Sequence, residues 1–421
     1  MAREHVGEPL RQGLRANWRQ FALLVAVNAF VGGMVGLERA TLPLLAEEEF
    51  GITSKVAAVS FIATFGLAKA FTNLFAGELA GVMSRKNLLV VGWILGVPVP
   101  FVLMWGPSWS WIVAANLLLG INQGLTWSMT VNMKVDLVGS RQRGLALGLN
   151  EAAGYMAVAG AAYLSGIIAA SYGLRPEPFY LGVGFAALGL ALSAVFVRDT
   201  GRFVALEASY APLERRVPLA SMFAEVTWRQ RRLWGVCQAG FVNNLNDGLI
   251  WGIFPLFFAS KGLSLERVAL LAAVYPLVWG SLQIATGWLS DVTGRKPVVV
   301  LGMLVQGIAI WMTVAFDSFA WWVMAVSLVG VGTAMVYPTL LASISDAVHA
   351  EMRSSALGVY RFWRDAGSIA GALLGGTIAD VLGFSIAIEI VAALTLISGL
   401  IASITLSGNL MPRPTSLEAS P

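Results

Sequence analysis

The stretch Gly-Trp-Leu-Ser-Asp-Val-Thr-Gly-Arg-Lys occupies residues 287–296, and a related stretch occupies residues 77–86, 210 positions earlier. Both begin with glycine, carry leucine in third place and end in Arg-Lys. The same displacement relates further residues along the chain, which form the pairs Gly120 and Gly330, Trp127 and Tyr337, Asp136 and Asp346, Arg143 and Arg353, Gly148 and Gly358, Gly166 and Gly376, and Gly173 and Gly383. Because 210 residues is about half of the 421-residue chain, the sequence predicts two equivalent halves with a working site between them.

The composition is that of a membrane protein. Hydrophobic residues make up 57% of the chain and charged residues 12%, which is too apolar for a soluble protein of average composition. The sequence pI of about 9.3 reflects basic residues scattered in pairs between apolar runs, so we expect no nucleic-acid partner. The single cysteine, Cys237, and the two histidines, His5 and His349, which lie outside those runs, predict no internal disulfide, no metal site and no cofactor.

Twelve apolar runs are long enough, at roughly 20 residues each, to cross about 30 Å of hydrocarbon. Numbered as spans 1 to 12, they lie near residues 20–43, 56–79, 87–105, 109–132, 144–170, 178–198, 233–259, 267–289, 297–316, 320–343, 355–379 and 384–406. We therefore predict an all-α membrane protein whose twelve transmembrane helices form two pseudo-symmetric six-helix bundles.

The longest polar stretch separates the two predicted bundles. Residues 1–198 form the predicted N-terminal bundle, 199–232 a central loop, 233–406 the C-terminal bundle and 407–421 a tail. With the N-terminus inside, 20 Lys and Arg residues fall in inner segments and four in outer loops. This asymmetry predicts that the central loop, the tail and both termini are cytoplasmic, in a bacterial inner membrane or a plasma membrane.

The loop at residues 287–296 resembles the Gly-x-Leu-x-Asp-x-x-Gly-Arg-Lys signature of the major facilitator superfamily, a family of membrane transporters. The spans and the repeat extend this resemblance over nearly the whole chain. It implies a conformational-switch loop made of Gly287, Asp291, Gly294, Arg295 and Lys296. In the first copy, at residues 77–86, Gly81 replaces the aspartate, so we expect the second copy to carry most of the switch.

Two departures from the family pattern bear on the substrate. The chain is similar to the branch of bacterial proton antiporters that move drugs and metabolites. Proton-driven drug exporters of that branch carry an arginine in span 4, four residues before a glycine, where this chain has Asn116 before Gly120. They also carry Gly-Pro in span 5, where this chain has Gly154-Tyr155. These departures argue against a standard multidrug exporter.

Charged residues inside the spans are the first functional candidates, because a charge at mid-membrane costs about 2.5–3.5 kcal/mol on insertion scales. They are Glu38, Arg39, Lys69, Glu151, Asp247, Arg361, Arg364 and Asp365. All of them fall on spans 1, 2, 5, 7 and 11, which face the central cavity in the family that the chain resembles.

Helical spacing selects the candidate substrate-binding residues. Asn243, Asn246 and Asp247 share one side of span 7, with Asn244 about 100° away. On span 8, an aromatic face opposite a lysine suits a substrate with a flat or apolar body and an anionic or hydrogen-bonding group. The predicted substrate-binding residues are Lys69, Asn73, Asn243, Asn246, Tyr275, Trp279 and Gln283.

Proton coupling would require a carboxylate, because no histidine lies in a span. The candidates are Asp247, Glu151 and Asp365; sodium is an alternative ion, because Asn243, Asn246 and Asp247 offer oxygen ligands. The remaining charges read as gates or ion pairs: Glu38, Arg39, Arg361 and Arg364, with Asp365 one helical turn from Arg361. Asp247 and Lys69 could instead form a buried pair that holds the halves together.

The predicted function is secondary active transport of a small organic solute by alternating access, as proton-coupled efflux. The alternative is a symporter or exchanger of an anionic metabolite, which the arginines and lysine within spans favour. An enzyme is not expected, because the spans contain no converging nucleophile and base and no metal-ligand set. We expect a monomer in the lipid bilayer.

Overall fold

The computed structural model of the protein describes residues 11–139, 143–210, 219–348 and 353–406. Within those four ranges the chain is helical and contains no β-strand. The predicted tail, 407–421, and residues 211–218 of the predicted central loop lie outside the described residues. The rest of that loop forms the helix Gly201–Tyr210, the short helix Leu219–Ala224 and the π-helical turn Glu225–Arg229.

Each predicted span corresponds to helix in the structure. Spans 1 to 3 each consist of two consecutive helices: Leu14–Arg39 with Leu42–Glu48, Lys55–Ala58 with Ser60–Val82, and Arg85–Gly96 with Pro98–Trp105. Spans 4 to 12 are Trp109–Val138, Arg143–Tyr172, Tyr180–Val195, Arg231–Ser260, Leu265–Thr293, Arg295–Ala315, Phe319–Ala347, Arg353–Leu382 and Phe384–Thr405. Prolines begin the second helices of spans 1 and 3, where a missing N–H donor breaks the helical hydrogen-bond pattern at little cost.

Nine helical segments in the described residues are long and apolar enough to cross a membrane. The other three are spans 2, 4 and 7. Span 2 is apolar over the shorter segment Ser60–Ala76, whereas spans 4 and 7 each have 30 residues but are more polar. The prediction of an all-α membrane protein is confirmed.

The two halves repeat one packing scheme. In the first half, span 1 packs against spans 5 and 6, span 2 against span 4, and span 3 against spans 4 and 6. In the second half the same contacts join span 7 to spans 11 and 12, span 8 to span 10, and span 9 to spans 10 and 12. The halves meet along two equivalent interfaces, span 2 against span 11 and span 5 against span 8.

Glycines bring spans 1 and 5, and likewise spans 7 and 11, into backbone contact. A Cβ atom at Gly32 would lie 2.2 Å from the carbonyl oxygen of Gly154 in span 5. A Cβ atom at Gly371 would lie 1.9 Å from the carbonyl oxygen of Leu245 in span 7. Any larger side chain at these positions would force the helices apart. We call these two contacts, Gly32 with Gly154 and Gly371 with Leu245, the glycine seams.

Candidate functional site

A small cavity of about 50 Å³ lies between the two halves. Spans 1, 2, 4 and 5 line it from one half and spans 7, 10 and 11 from the other. A buried water requires about 10–15 Å³ of such volume, so this space accommodates a few waters and no organic solute. The charged residues that line it are Arg39, Lys69, Glu151, Asp247, Arg361, Arg364 and Asp365.

Asp365 of span 11 contacts two residues of span 2 in the other half. The Nζ atom of Lys69 lies 3.7 Å from its Oδ1 atom, and Asn73 donates a hydrogen bond of 2.8 Å to its Oδ2 atom. Helical spacing suggested Arg361 as its partner, but the closest arginine is Arg364, whose Nη1 atom lies 3.9 Å away. Span 2 lies close enough to provide the partners of Asp365. Residue spacing within span 11 alone could not predict them.

Glu151 of span 5 accepts hydrogen bonds from three neutral donors. Trp127 Nε1 donates at 2.9 Å, Asn150 Nδ2 at 3.0 Å and the Tyr337 hydroxyl at 3.2 Å. Tyr337 belongs to span 10, so this carboxylate also joins the halves. Within the described residues, no lysine or arginine nitrogen lies within 4 Å of it.

Arg364 provides a third contact between the halves. Its Nη2 atom donates a hydrogen bond of 3.1 Å to the hydroxyl of Tyr155 in span 5. Its guanidinium also lies 4.3 Å from the centre of the Tyr337 ring. The charge of Arg364 is therefore compensated by Asp365 and by two tyrosines.

Asp247 lies near the middle of span 7 and is almost completely buried. It accepts a hydrogen bond from the hydroxyl of Tyr275 in span 8, and that hydroxyl lies 3.3 Å from Thr333 Oγ1 in span 10. The ion pair with Lys69 that the sequence left open is absent among the described residues, since Lys69 contacts Asp365 instead. Asp247 is thus held by a neutral donor.

Two predicted substrate ligands on span 7 point away from the cavity. Asn243 accepts a hydrogen bond of 2.9 Å from Gln306 of span 9, and Asn246 donates one of 2.8 Å to the same side chain. Asn244 lines the cavity in their place. Asp247 lies between two faces of span 7, one with Asn243 and Asn246 and one with Asn244. The face with Asn244 is the one that faces the other half. We leave Asn243 and Asn246 out of the proposed site.

The predicted aromatic face of span 8 lies behind the cavity lining. Tyr275 and Trp279 are fully buried and Gln283 nearly so, and none of them lines the cavity. The ring centres of Trp279 and Tyr155 are 3.6 Å apart, so Tyr155 of span 5 separates span 8 from the cavity. The aromatic residues that do line it are Phe65, Trp127, Tyr155, Trp251 and Tyr337.

The sequence contained two signals for this missed aromatic lining. Trp127 and Tyr337 are equivalent positions of the repeat, and both reach the cavity. Trp251 follows Asp247 by four residues, which places it on the same helix face. Tyr155 has no comparable signal, because its position depends on how spans 5 and 8 pack.

Glu38 and Arg39 are adjacent in span 1 but occupy different surroundings. Arg39 lines the cavity, with its guanidinium 4.2 Å from the ring centre of Trp251 and 5.3 Å from that of Phe65. Glu38 is completely buried and does not line the cavity. Among the described residues, no carboxylate oxygen lies within 4 Å of a nitrogen of Arg39 or of Arg361, so neither arginine forms the predicted ion pair.

The predicted switch loop lies at one end of the bundle, which we call the loop end. Arg295 contacts Asp291 at 2.5 Å and Asp346 of span 10 at 3.2 Å. In the first half Arg85 pairs with Asp136 of span 4, so the pairs Arg85–Asp136 and Arg295–Asp346 are equivalent in the repeat. Both copies therefore tie their loop to a helix of the same half.

The glycines and the last lysine of the switch loop differ in their surroundings. Gly294 has a φ of 92°, which a glycine adopts readily and which forms the turn between spans 8 and 9. Gly287 has open space where a Cβ atom would lie, so it is not required for close helix packing. Lys296 is partly buried near the start of span 9.

At the opposite end of the bundle, Asp380 of span 11 caps the start of span 2. Its carboxylate accepts hydrogen bonds from the hydroxyl of Ser54 at 2.7 Å and from the backbone N–H of Val56 at 3.1 Å. A Cβ atom at Gly376 would lie 2.6 Å from the Cα atom of Val56, which shows how closely the helices approach. This cap joins the halves on the far side of the cavity.

Comparison with known proteins gives a consistent result. The sequence model of the Major Facilitator Superfamily matches residues 21–238 and again residues 236–420. Inner membrane transport protein YnfM of Escherichia coli (strain K12) is 25% identical over 166 residues, which cover 39% of this chain and 40% of YnfM. The alignment therefore spans less than half of that relative.

Two further matches cover most of the chain. Multidrug resistance protein MdtG of Serratia proteamaculans (strain 568) is 22% identical over 381 residues, 87% of this chain and 89% of MdtG. The crystal structure of a POT family transporter in complex with a thioalcohol-conjugated peptide superposes with a TM-score of 0.74 at 14% identity, covering 92% of this chain and 96% of that one. The structural likeness, at this identity, concerns the fold alone.

Proposed function

The chain belongs to the Major Facilitator Superfamily and is a multi-pass membrane transporter, and on this premise we propose that it exports a small organic solute by alternating access coupled to protons. In this proposal the loop end of the bundle, the central loop and both termini face the cytoplasm of a bacterial inner membrane or a plasma membrane. The protein works as a monomer, and the solute binds in the cavity between the halves.

The observation that carries the proposal is a small cavity, of about 50 Å³, whose charged residues are bonded across the two halves. Lys69 with Asp365, Glu151 with Tyr337, and Tyr155 with Arg364 each join one half to the other. A solute larger than a few waters enters only after these contacts separate. Access to the cavity is therefore linked to the relative movement of the halves, which alternating access requires.

The cap at Asp380 supports a cycle with two gates. It closes the end of the interface between spans 2 and 11 that lies away from the loop end. In this cycle, release of the cap would open the cavity on that side. The equivalent interface between spans 5 and 8 would open in the same movement.

Asp247 and Glu151 are the preferred coupling carboxylates. Each is held by neutral donors, so gaining a proton breaks no ion pair. Asp365 contacts two cations, Lys69 and Arg364, so protonation of Asp365 would disrupt both contacts. The sodium alternative loses support, because Asn243 and Asn246 are engaged by Gln306 and do not gather around Asp247.

The export direction rests on the relatives. Multidrug resistance protein MdtG matches this chain over most of its length, and its name describes resistance rather than uptake. Asn116 and the Gly154-Tyr155 pair nevertheless separate this chain from standard drug exporters. We therefore propose export of a narrower set of solutes than a multidrug pump would accept.

Uptake or exchange of an anionic metabolite is the second candidate. The observation that favours it is the presence of two cavity arginines, Arg39 and Arg361, that lack an ion-pair partner among the described residues. Both candidates share the site and the cycle and differ in the direction of solute movement relative to protons.

Transport into sealed vesicles tests the proposal. The purified protein is first screened for organic compounds that raise its melting temperature, since a ligand stabilises the state it binds. Each hit is then followed in proteoliposomes with an imposed pH gradient of either sign. Export by antiport predicts that the solute moves against the proton flow, symport predicts movement with it, and movement unaffected by the gradient would contradict proton coupling.

A further inference from the structure

We infer that Arg39, Trp251 and Phe65 form the anion-binding subsite of the cavity, and that the transported solute is a flat organic monoanion such as an aromatic carboxylate. The inference rests on the proposed transport function and specifies its substrate class.

Arg39 is a buried cation that forms no ion pair among the described residues, although the charges of Glu38 and Asp247 act on it from a greater distance. Its side chain is 2% exposed, lines the cavity and has no carboxylate oxygen within 4 Å in the described part of the chain. Its Nε atom is buried and donates no hydrogen bond. The carboxylate of the preceding residue, Glu38, does not line the cavity. A buried charge without a partner is costly, and an anionic ligand would relieve that cost.

The other cavity cations are less suited to bind an anion. Lys69 and Arg364 both contact Asp365, and Arg364 also donates to Tyr155. Arg361 has no ion pair among the described residues, but it is only partly buried and lies nearer the loop end of span 11. Water compensates its charge more readily than that of Arg39.

The balance of charge indicates a monoanion. Four cations line the cavity, Arg39, Lys69, Arg361 and Arg364, against the three carboxylates of Glu151, Asp247 and Asp365. When all seven are charged, four minus three leaves one positive charge in excess. A solute with a single negative charge neutralises it, whereas a cation increases the excess.

The aromatic surroundings of Arg39 indicate a flat solute. Its guanidinium lies over Trp251 and Phe65, and a guanidinium can keep such ring contacts while its planar N–H groups bind both oxygens of a carboxylate. Tyr155, Trp127 and Tyr337 also line the cavity and offer ring faces to an unsaturated body. As the halves separate, such a body can pack between these rings.

Binding measurements with matched probes test the inference. The probes are 1-naphthoate, its neutral amide 1-naphthamide, the cation 1-naphthylmethylammonium, and octanoate, which has the charge without the ring. For the purified full-length protein we expect 1-naphthoate to raise the melting temperature and to bind at least tenfold more tightly than the other three by calorimetry. Equal binding of 1-naphthamide, or no binding of 1-naphthoate, would overturn the inference.

Variants locate the subsite. Arg39→Gln should weaken 1-naphthoate binding at least tenfold, and Arg39→Lys should be intermediate, because lysine retains the charge but not the two-pronged geometry. Arg267→Gln is the matched control, because the guanidinium of Arg267 lies 5.2 Å from the centre of the Phe319 ring and does not line the cavity; it should change the dissociation constant less than threefold. Arg39→Gln loses the contacts with the Trp251 and Phe65 rings but no ion pair within 4 Å, so it should lower the melting temperature only slightly and remain folded. Unchanged binding by folded Arg39→Gln would place the subsite elsewhere and overturn the inference.

The outcome for the inference is separable from that for the proposed function. If 1-naphthoate binds through Arg39 but does not move across proteoliposomes under any pH gradient, the subsite stands and proton-coupled transport fails. If a neutral or cationic compound is transported under a gradient and its binding is independent of Arg39, the transport function stands and the substrate class fails.

Discussion

Lys69 of span 2 and Asp365 of span 11 face each other across the interface between the halves, with Nζ 3.7 Å from Oδ1. Asp365 is almost fully buried and Lys69 is 20% exposed, so little water screens this pair. The contact therefore joins the charged lining of the cavity to the interface between the halves, and the proposed movement of the halves would have to break it.

Removal of one partner of this pair is predicted to cost more than removal of both. Asp365→Leu leaves the lysine buried without its anion, which costs about 3–5 kcal/mol in fully buried pairs and less here because Lys69 is partly exposed. The double variant Lys69→Leu with Asp365→Leu should recover most of the loss. The measurement is the melting temperature of three purified variants: Asp365→Leu, Lys69→Leu and the double variant. Strictly additive losses would show that the two side chains do not interact.

Asp247→Asn is predicted to uncouple transport from the proton gradient. The amide still reaches the Tyr275 hydroxyl but cannot take up and release a proton. Solute exchange across vesicles without a gradient should continue, whereas accumulation against the solute gradient should fall by at least tenfold. Glu389→Gln, an exposed carboxylate of span 12, is the control and should transport as the wild type. Full accumulation by Asp247→Asn would move the coupling role to Glu151.

Asp291→Asn is predicted to slow transport without lowering stability. The side chain of Asp291 is 62% exposed and pairs with Arg295, and such surface pairs contribute about 0–1 kcal/mol. A severalfold loss of transport rate at unchanged melting temperature would fit a role in another state of the cycle. The control is Asp317→Asn, a 67% exposed carboxylate paired with Lys261. Equal rates for both variants and the wild type would remove the switch role of Asp291.

Asp380→Ala is predicted to open the end of the cavity that lies away from the loop end. Loss of a capping side chain costs about 0.5–1 kcal/mol at an exposed site, which shifts a two-state balance roughly two- to fivefold. The test is maleimide labelling of Ser368→Cys, a cavity position, in a Cys237→Ser background. The labelling rate from that side of the membrane should rise by this factor. Asp317→Ala should leave it unchanged, and an unchanged rate in Asp380→Ala would contradict the cap.

The fold and the charged lining of the cavity were predictable because they depend on patterns within the chain. Apolar runs and the 210-residue repeat indicate the helices and their pairing. The cost of burying charge explains why Lys69, Asp247 and Asp365 turn towards a shared polar space. Neither argument requires knowledge of how one helix is rotated against its neighbours.

Helix rotation is what the sequence did not resolve. Asn243 and Asn244 differ by one step of 100°, and either can accompany Asp247 on a polar face. Which asparagine faces the cavity depends on Gln306 of span 9, a residue far away in sequence. Gln306 donates a hydrogen bond to Asn243 and so holds it away from the cavity. Likewise, Tyr155 lies between Trp279 and the cavity because spans 5 and 8 pack closely. The spacing of residues within span 8 does not predict this contact.

The glycine seams reduce the number of ways in which this molecule can deform. Where Gly32 meets Gly154 and Gly371 meets Leu245, two helices have no clearance to slide or tilt separately. We therefore expect spans 1 and 5 to move together as one rigid unit, and spans 7 and 11 as another. Within each unit the distances between charged side chains should stay constant. The remaining movement is a rotation of one rigid unit relative to the other. Spin-label distances within each pair should therefore stay constant through turnover, while distances between the pairs change.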